Sequence, residues 1–168
     1  MTERILLIGM MGVGKTTVGR ALARQLGWTY LDSDEQVRAM TGRSVKEISL
    51  ADGPDTLHRF EDDALVAALA SPAPAVIAVA GGALLEEKNR ASLKREPHVV
   101  WLRASLETMA ARIGTQGDRP YFDENPLGTI AALYDVRRPL YEEVATLIID
   151  VDDLVPEEIV RRVLASLS

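Results

Sequence analysis

The sequence predicts an α/β fold: a five-stranded parallel sheet flanked by helices, with a mobile lid loop. Three observations carry this expectation. Short unbroken apolar runs alternate with helix-length segments, the pattern of βαβ units. A glycine-rich turn joins the first apolar run to the first helix. Late in the chain, a Gly- and Pro-containing stretch breaks the periodicity.

The elements follow in order. Arg4–Gly9 reads as the first strand, its continuous apolar run implying burial on both faces. Lys15–Leu26 reads as a helix, apolar at Val18, Ala21, Leu22 and Leu26, with Gly27 where a C-cap belongs. Thr29–Asp32 is a short second strand, and helical segments run from Glu35 to Leu50, broken at Thr41-Gly42. A helix over Asp55–Ala70 is stopped by Ser71-Pro72-Ala73-Pro74. Further strands are expected at Ala75–Ala80, Val99–Leu102 and Leu147–Asp150, and further helices at Leu84–Lys94, Leu106–Ile113, Leu127–Val144 and Pro156–Leu167. Gly114–Pro126 lacks apolar periodicity and reads as a long loop, either a functional lid or a surface insertion.

Size and composition narrow the classes. With 168 residues, the chain fits one domain on the usual ~100–200 residues each. Hydrophobic residues at 47% and charged residues at 26% are globular values and argue against disorder. Net charge is −6, which disfavours nucleic acid as a partner because phosphate neutralisation dominates that affinity. The absence of cysteine excludes disulfides, thiolate metal sites and thiol nucleophiles, and two histidines are too few for a His-rich metal centre. No run approaches the ~18 apolar residues of a membrane span, and Ile5–Ile8 is too short for a signal sequence. The expectation is a cytoplasmic protein, a monomer, with a small-molecule partner and neither nucleic acid nor membrane.

Gly9-Met10-Met11-Gly12-Val13-Gly14-Lys15-Thr16 matches G-x-x-x-x-G-K-[ST] between the first strand and the first helix. Glycines let backbone amides turn toward phosphate oxygens, and the helix start adds partial positive charge. Lys15 suits the β- and γ-phosphates, and the Thr16 hydroxyl suits Mg2+. A plain strand–helix turn needs neither Lys15 nor Thr16, and a dinucleotide fingerprint needs glycine where Thr17 stands. The expected fold is therefore a P-loop NTPase domain using ATP and Mg2+. The third strand ends in Ala80-Gly81-Gly82 without an acid, so Asp32-Ser33-Asp34, at the carboxyl end of the second strand, becomes the source of a metal-supporting carboxylate. The same three residues also suit a helix N-cap, through Ser33 or Asp34.

With these residues placed, the chain resembles the shikimate kinase family over almost its whole length. The resemblance rests on Gly9–Thr17, Asp32-Ser33-Asp34, the Thr41-Gly42 break, Gly81-Gly82, Arg112, Arg119-Pro120 and Arg137-Arg138-Pro139-Leu140-Tyr141. It implies that Gly12, Val13, Gly14, Lys15, Thr16 and Thr17 bind nucleotide and that Arg112 lies against the adenine. Thr16 and Asp32 would serve the metal, the latter through water. Asp34 would hold acceptor hydroxyls and assist the attacking one, Gly81 and Gly82 would approach the acceptor through backbone, and Arg137 would grip its carboxylate. Arg119 would be a catalytic arginine on the lid at 114–126, and 33–70 would form the acceptor-binding helices. Phosphoryl transfer fits these roles, since it asks for positioning and positive charge more than covalent help. Arg112 and Arg138 also read as ordinary solvated helix residues.

Three departures cluster at the acceptor side. Where the family carries Phe-Arg-x-x-Glu, this chain has Leu57-His58-Arg59-Phe60-Glu61, so His58 takes the place of a carboxylate-binding arginine. Arg59, about 100° further round the helix, points elsewhere. The family's three glycines become Ala80-Gly81-Gly82, and its Arg-Pro-Leu-Leu lid becomes Arg119-Pro120-Tyr121-Phe122. The leading expectation is ATP-dependent phosphorylation of shikimate. The alternatives are another polyhydroxylated acceptor, such as a gluconate-type sugar acid, or a non-catalytic nucleotide-binding relative. An Asn-Lys-x-Asp guanine signature is missing, which weakens a GTPase reading.

Overall fold

The computed structural model describes residues 3–113 and 126–167. Five strands form one parallel sheet: β1 (Arg4–Ile8), β2 (Thr29–Asp32), β3 (Ala75–Ala78), β4 (Val99–Arg103) and β5 (Leu147–Asp150), in the order β2-β3-β1-β4-β5. The helices are α1 (Lys15–Leu26), α2 (Ser33–Thr41), α3 (Val45–Asp52), α4 (Pro54–Ala70), α5 (Glu87–Lys94), α6 (Leu106–Ile113), α7 (Pro126–Val144) and α8 (Pro156–Ser166), with a 3₁₀ turn over Gly81–Leu85. Among the described residues, no helix is long and apolar enough to cross a membrane.

β1 lies at the centre, in register with β3 (Leu6 opposite Ile77) and β4 (Leu6 opposite Val99). Both of its faces are covered, which is why Ile5 to Ile8 tolerate no polar residue and are all fully buried. Trp101 on β4 is 1% exposed and packs against Tyr141 of α7, with ring centroids 5.4 Å apart. A separate, smaller apolar cluster of Val37, Ile48 and Ala64, with Val45, Leu57 and Phe60 against it, holds α2, α3 and α4 together.

Several predicted boundaries shift, each for a local reason. β1 ends at Ile8, because Gly9 adopts φ +145°, where a Cβ would stand 2.6 Å from the Leu102 carbonyl oxygen. β3 ends at Ala78, two residues short of the expected Ala80, and the chain then turns in the 3₁₀ segment. The helix predicted to start at Leu84 starts at Glu87, because Glu86 is extended (φ −87°, ψ 127°). α2 begins at Ser33, ahead of the predicted Glu35, and its cap is Asp32 and neither Ser33 nor Asp34. The Asp32 side chain accepts from the amides of Asp34 and Glu35. Pro126, assigned to the loop, opens α7. The rest of the predicted lid, with Arg119, Tyr121 and Phe122, lies outside the described residues.

Candidate active site

The carboxyl ends of β1, β2 and β3 open into one cleft of about 580 Å³. Crevices at that edge of a parallel sheet are where α/β folds bind ligands. The cleft is lined by Gly12, Val13, Gly14, Lys15, Thr16, Thr17, Asp32, Asp34, His58, Gly81, Gly82, Arg112 and Arg137. All the sequence-predicted site residues within the described part therefore meet in one place. Ala80 lines it as well.

At the nucleotide end, Gly14 (φ +97°) leads into α1 with no side-chain cap, leaving the first amides of that helix facing the cleft. The Lys15 ammonium donates to the Gly9 carbonyl, across the loop. Arg112, from α6, donates to the Gly12 carbonyl at 3.0 Å, so this side chain lies over the loop and is no merely solvated helix residue. Thr16 Oγ1 donates to Asp32 Oδ2 at 3.1 Å. Asp32 is thus divided: Oδ1 caps α2, while Oδ2 takes Thr16 and also the Tyr30 hydroxyl at 2.6 Å. Burial, then the bond to Asp32, hold the Tyr30 phenol well above its ordinary range. A hydroxyl and a carboxylate side by side at the loop form the hard-oxygen set that Mg2+ takes, since it needs only one or two protein oxygens beside phosphate and water.

At the other end, the turn after β3 supplies backbone where side chains leave no room. A Cβ on Gly81 would stand 2.9 Å from Arg137 Nη1 and 3.1 Å from the Tyr141 hydroxyl. One on Gly82 would stand 3.0 Å from His58 Nε2 and 3.2 Å from Glu61 Oε1. Arg137 is 6% exposed, yet among the described residues its Nε and Nη1 have no hydrogen-bond partner. The buried Tyr141 hydroxyl and Ser33 Oγ have none either. A buried cation with idle donors is costly unless something anionic satisfies it, so this end is built for a carboxylate or similar group. The Tyr141 phenol is pushed up to about 12 by burial and stays neutral.

His58 and Glu61 sit one helical turn apart on α4, Nε2 to Oε1 at 3.9 Å. Burial, then the Arg137 charge, lower the His58 pKa, so His58 is neutral at pH 7. Burial first, then Asp34, push Glu61 up to about 7. Arg59 is exposed and its Nη2 reaches Thr56 Oγ1 at 3.3 Å, pointing away from the cleft as the helical period requires. The sequence reading did not single out Glu61, Tyr30, Tyr141 or Ser33 as site residues. Glu61 had a signal, the (i, i+3) spacing from His58. For Tyr141 the signal was its place in the Arg137–Tyr141 run.

A parallel sheet, a phosphate loop and an arginine-lined polar end in a single cleft define a P-loop kinase of small molecules. The shikimate kinase family profile matches residues 11–168. The shikimate kinase of Ruegeria pomeroyi is 38% identical over 167 residues, covering 99% of this chain and 85% of its own. That of Symbiobacterium thermophilum is 40% identical over 166 residues, 97% and 95% of the two chains. The structure of Acinetobacter baumannii shikimate kinase in complex with shikimate superposes with a TM-score of 0.93 at 34% identity, covering 99% of this chain and 93% of that one. This chain belongs to the shikimate kinase family, and it is an ATP-using phosphotransferase. A gluconokinase from Sinorhizobium meliloti shares the fold, with a TM-score of 0.67 at 23% identity over 99% of this chain and 91% of that one.

Proposed function

We propose that this enzyme transfers the γ-phosphate of ATP to a hydroxyl of shikimate. The observation that carries the reading is the buried Arg137, whose Nε and Nη1 have no partner among the described residues and lie beside Gly81, in the same cleft as the phosphate loop. Shikimate offers what each end asks for: a carboxylate for Arg137 and ring hydroxyls for Asp34.

In this reading the loop amides from Gly12 to Thr16 and the Lys15 ammonium hold the β- and γ-phosphates. The nucleotide side also includes Val13 and Thr17, with Arg112 against the base. Thr16 and Asp32 would hold Mg2+, which neutralises phosphate charge when bound. Asp34 receives the proton of the attacking hydroxyl as its oxygen bonds to the γ-phosphorus. The bond to the bridging oxygen breaks, and ADP leaves. The Gly81 and Gly82 backbone forms the acceptor floor, His58 lies beside the carboxylate, and Arg119 supplies charge to the transferring group from the lid at 114–126. One copy carries every residue named, which supports a monomer, and ATP supply supports a cytoplasmic location. The whole chain then works as one kinase domain, with helices 33–70 as its acceptor side.

His58 favours a second reading, in which the acceptor is a different polyhydroxylated acid, since a neutral imidazole replaces a cation there. Initial rates of ADP release decide between them, measured with shikimate, gluconate and other hydroxy acids at fixed ATP and Mg2+. Shikimate as the best acceptor upholds the proposal, and a higher kcat/KM for another acid replaces it.

A further inference from the structure

The Gly81–Leu85 turn is the floor of the acceptor end, and its own 3₁₀ bonding sets its internal shape but not its place against the neighbouring helices. Ala83 N–H bonds to the Ala80 carbonyl at 3.1 Å and Glu86 N–H to the Ala83 carbonyl at 3.4 Å. Gly81 and Gly82 have no side chains with which to anchor themselves. Two neighbouring residues of α5 provide the anchorage. Asn89, 3% exposed, donates from Nδ2 to the Ala83 carbonyl at 2.8 Å and to Asp62 Oδ1 at 2.7 Å. Arg90 donates from Nη1 to the Leu84 carbonyl at 2.8 Å and the Leu85 carbonyl at 3.1 Å, and from Nε to Glu143 Oε2 at 2.9 Å.

Three consecutive carbonyls of the turn are therefore gripped from one helix. The far ends of the grip matter equally. Asp62 follows Glu61 on α4, the helix that presents His58 and Glu61 to Gly82. Glu143 lies two residues beyond Tyr141 on α7, the helix that presents Arg137 and Tyr141 to Gly81. Each α5 side chain ties the turn to one of the two walls it separates. An apolar side chain at position 89 would fill the same space but set no position for a carbonyl, whereas two directed N–H bonds fix both direction and distance.

We propose that Asn89 and Arg90 are positioning residues for the phosphoryl acceptor, setting the height of the Gly81–Gly82 backbone between α4 and α7. Neither touches the acceptor; both act through the glycine turn. The inference rests on the reading of this end of the cleft as the acceptor subsite. Small displacements matter there, because misplacement of reacting groups by about 1 Å can cost on the order of 100-fold in rate.

The test compares the native enzyme with Asn89→Ala, Asp62→Ala, Arg90→Met and Arg90→Lys, varying shikimate and ATP separately. Losing a buried hydrogen-bonding partner should raise the shikimate KM of Asn89→Ala roughly 5–100-fold while the ATP KM stays within about twofold. Arg90→Met should move the same parameter, and Arg90→Lys, which retains a donor, should recover part of it. Asn89 and Asp62 should be non-additive in that KM. A lower melting temperature with an unchanged shikimate KM overturns the proposal, as do equal rises in both KM values. If Asn89→Ala does not fold, the two Arg90 variants, at a side chain that is only part-buried, decide the matter on the same criterion. Hydrogen exchange separates this proposal from the assignment of the acceptor. If the native enzyme does not phosphorylate shikimate, that assignment fails. The positioning role then stands on faster amide exchange across 82–86 in Arg90→Met with no change across 10–16, and it falls if 82–86 exchanges as in the native protein.

Discussion

His58→Arg tests how the cleft holds an acceptor carboxylate. Among the described residues of the native chain, Arg137 is a buried cation with idle donors at that end, and the neighbouring imidazole, lowered in pKa by burial and by Arg137, is neutral at pH 7. A guanidinium at 58 would add a second fork beside Gly82, where His58 Nε2 already stands 3.0 Å from the place of a Cβ. A hydrogen bond between charged groups contributes about 1.5–3 kcal/mol, or roughly 10–150-fold in affinity. Glu61 Oε1, 3.9 Å from His58 Nε2, would take part of the new charge, so the gain belongs near the lower end of that range. The contact exists before the phosphate moves as much as during transfer, so KM for shikimate should fall more than kcat rises. A coupled ADP assay at saturating ATP and pH 7.5 measures both. A native KM already in the low micromolar range, with no gain from His58→Arg, would refute the reasoning and assign the carboxylate to other groups. Arg59 is not among them, since its side chain is exposed and bonded to Thr56.

Three further outcomes follow from the same geometry. Lys15→Ala should keep its melting temperature while turnover falls ~10²–10³-fold, the usual effect of losing one preorganised charge contact; near-native turnover of the folded variant would remove the loop assignment. Asp34→Asn should depress turnover while ATP affinity, read by nucleotide titration, stays near native, because the amide keeps the shape but cannot take a proton. Unchanged kinetics with lower thermal stability would leave Asp34 a structural residue. Glu61, raised by burial from 4.5 to about 7, holds its proton in the folded state at pH values where the unfolded chain has released it. Its contribution to stability is therefore complete below about pH 4.5, declines as pH rises toward 7, and is constant above. Urea melts at pH 5 and pH 8 should show a native loss on the order of 1–3 kcal/mol that Glu61→Gln lacks, and parallel pH slopes in the two proteins would contradict the assignment.

What the sequence disclosed depended on whether the deciding physics was local. α1 was legible to its exact bounds because both ends carry glycines in left-handed conformation, Gly14 and Gly27. The cap of α2 was not, since Asp32, Ser33 and Asp34 all suit the role. The choice fell to Asp32, whose backbone is still extended at the end of β2 while its Oδ1 meets the next two free amides. The break at Glu86 carried no glycine or proline. Ala83-Leu84-Leu85 are good helix formers, bent into a 3₁₀ turn whose carbonyls are taken by Asn89 and Arg90. Arg137 could be placed from its motif, but its burial could not, and neither could the packing of its neighbour Tyr141 against Trp101 of β4, distant in the chain. The doubled use of Asp32 was likewise invisible without knowing that β2 and α1 lie side by side.

The small cluster of Val37, Ile48 and Ala64 gives the acceptor helices a foundation of their own, apart from the large core beneath the phosphate loop. Energetic effects at well-separated sites with no shared partners are close to additive. His58 belongs to neither cluster and stands against Gly82 and Glu61, so a replacement there is felt first at the acceptor end and not by the buried residues of β1, although Leu65 and Ala68 further along α4 join the large core. Such a division lets a lineage try new acceptor chemistry one side chain at a time while ATP handling is inherited intact. The three departures at positions 58, 80 and 121–122, set beside an unaltered run from Gly9 to Thr16, are the footprint such a history would leave.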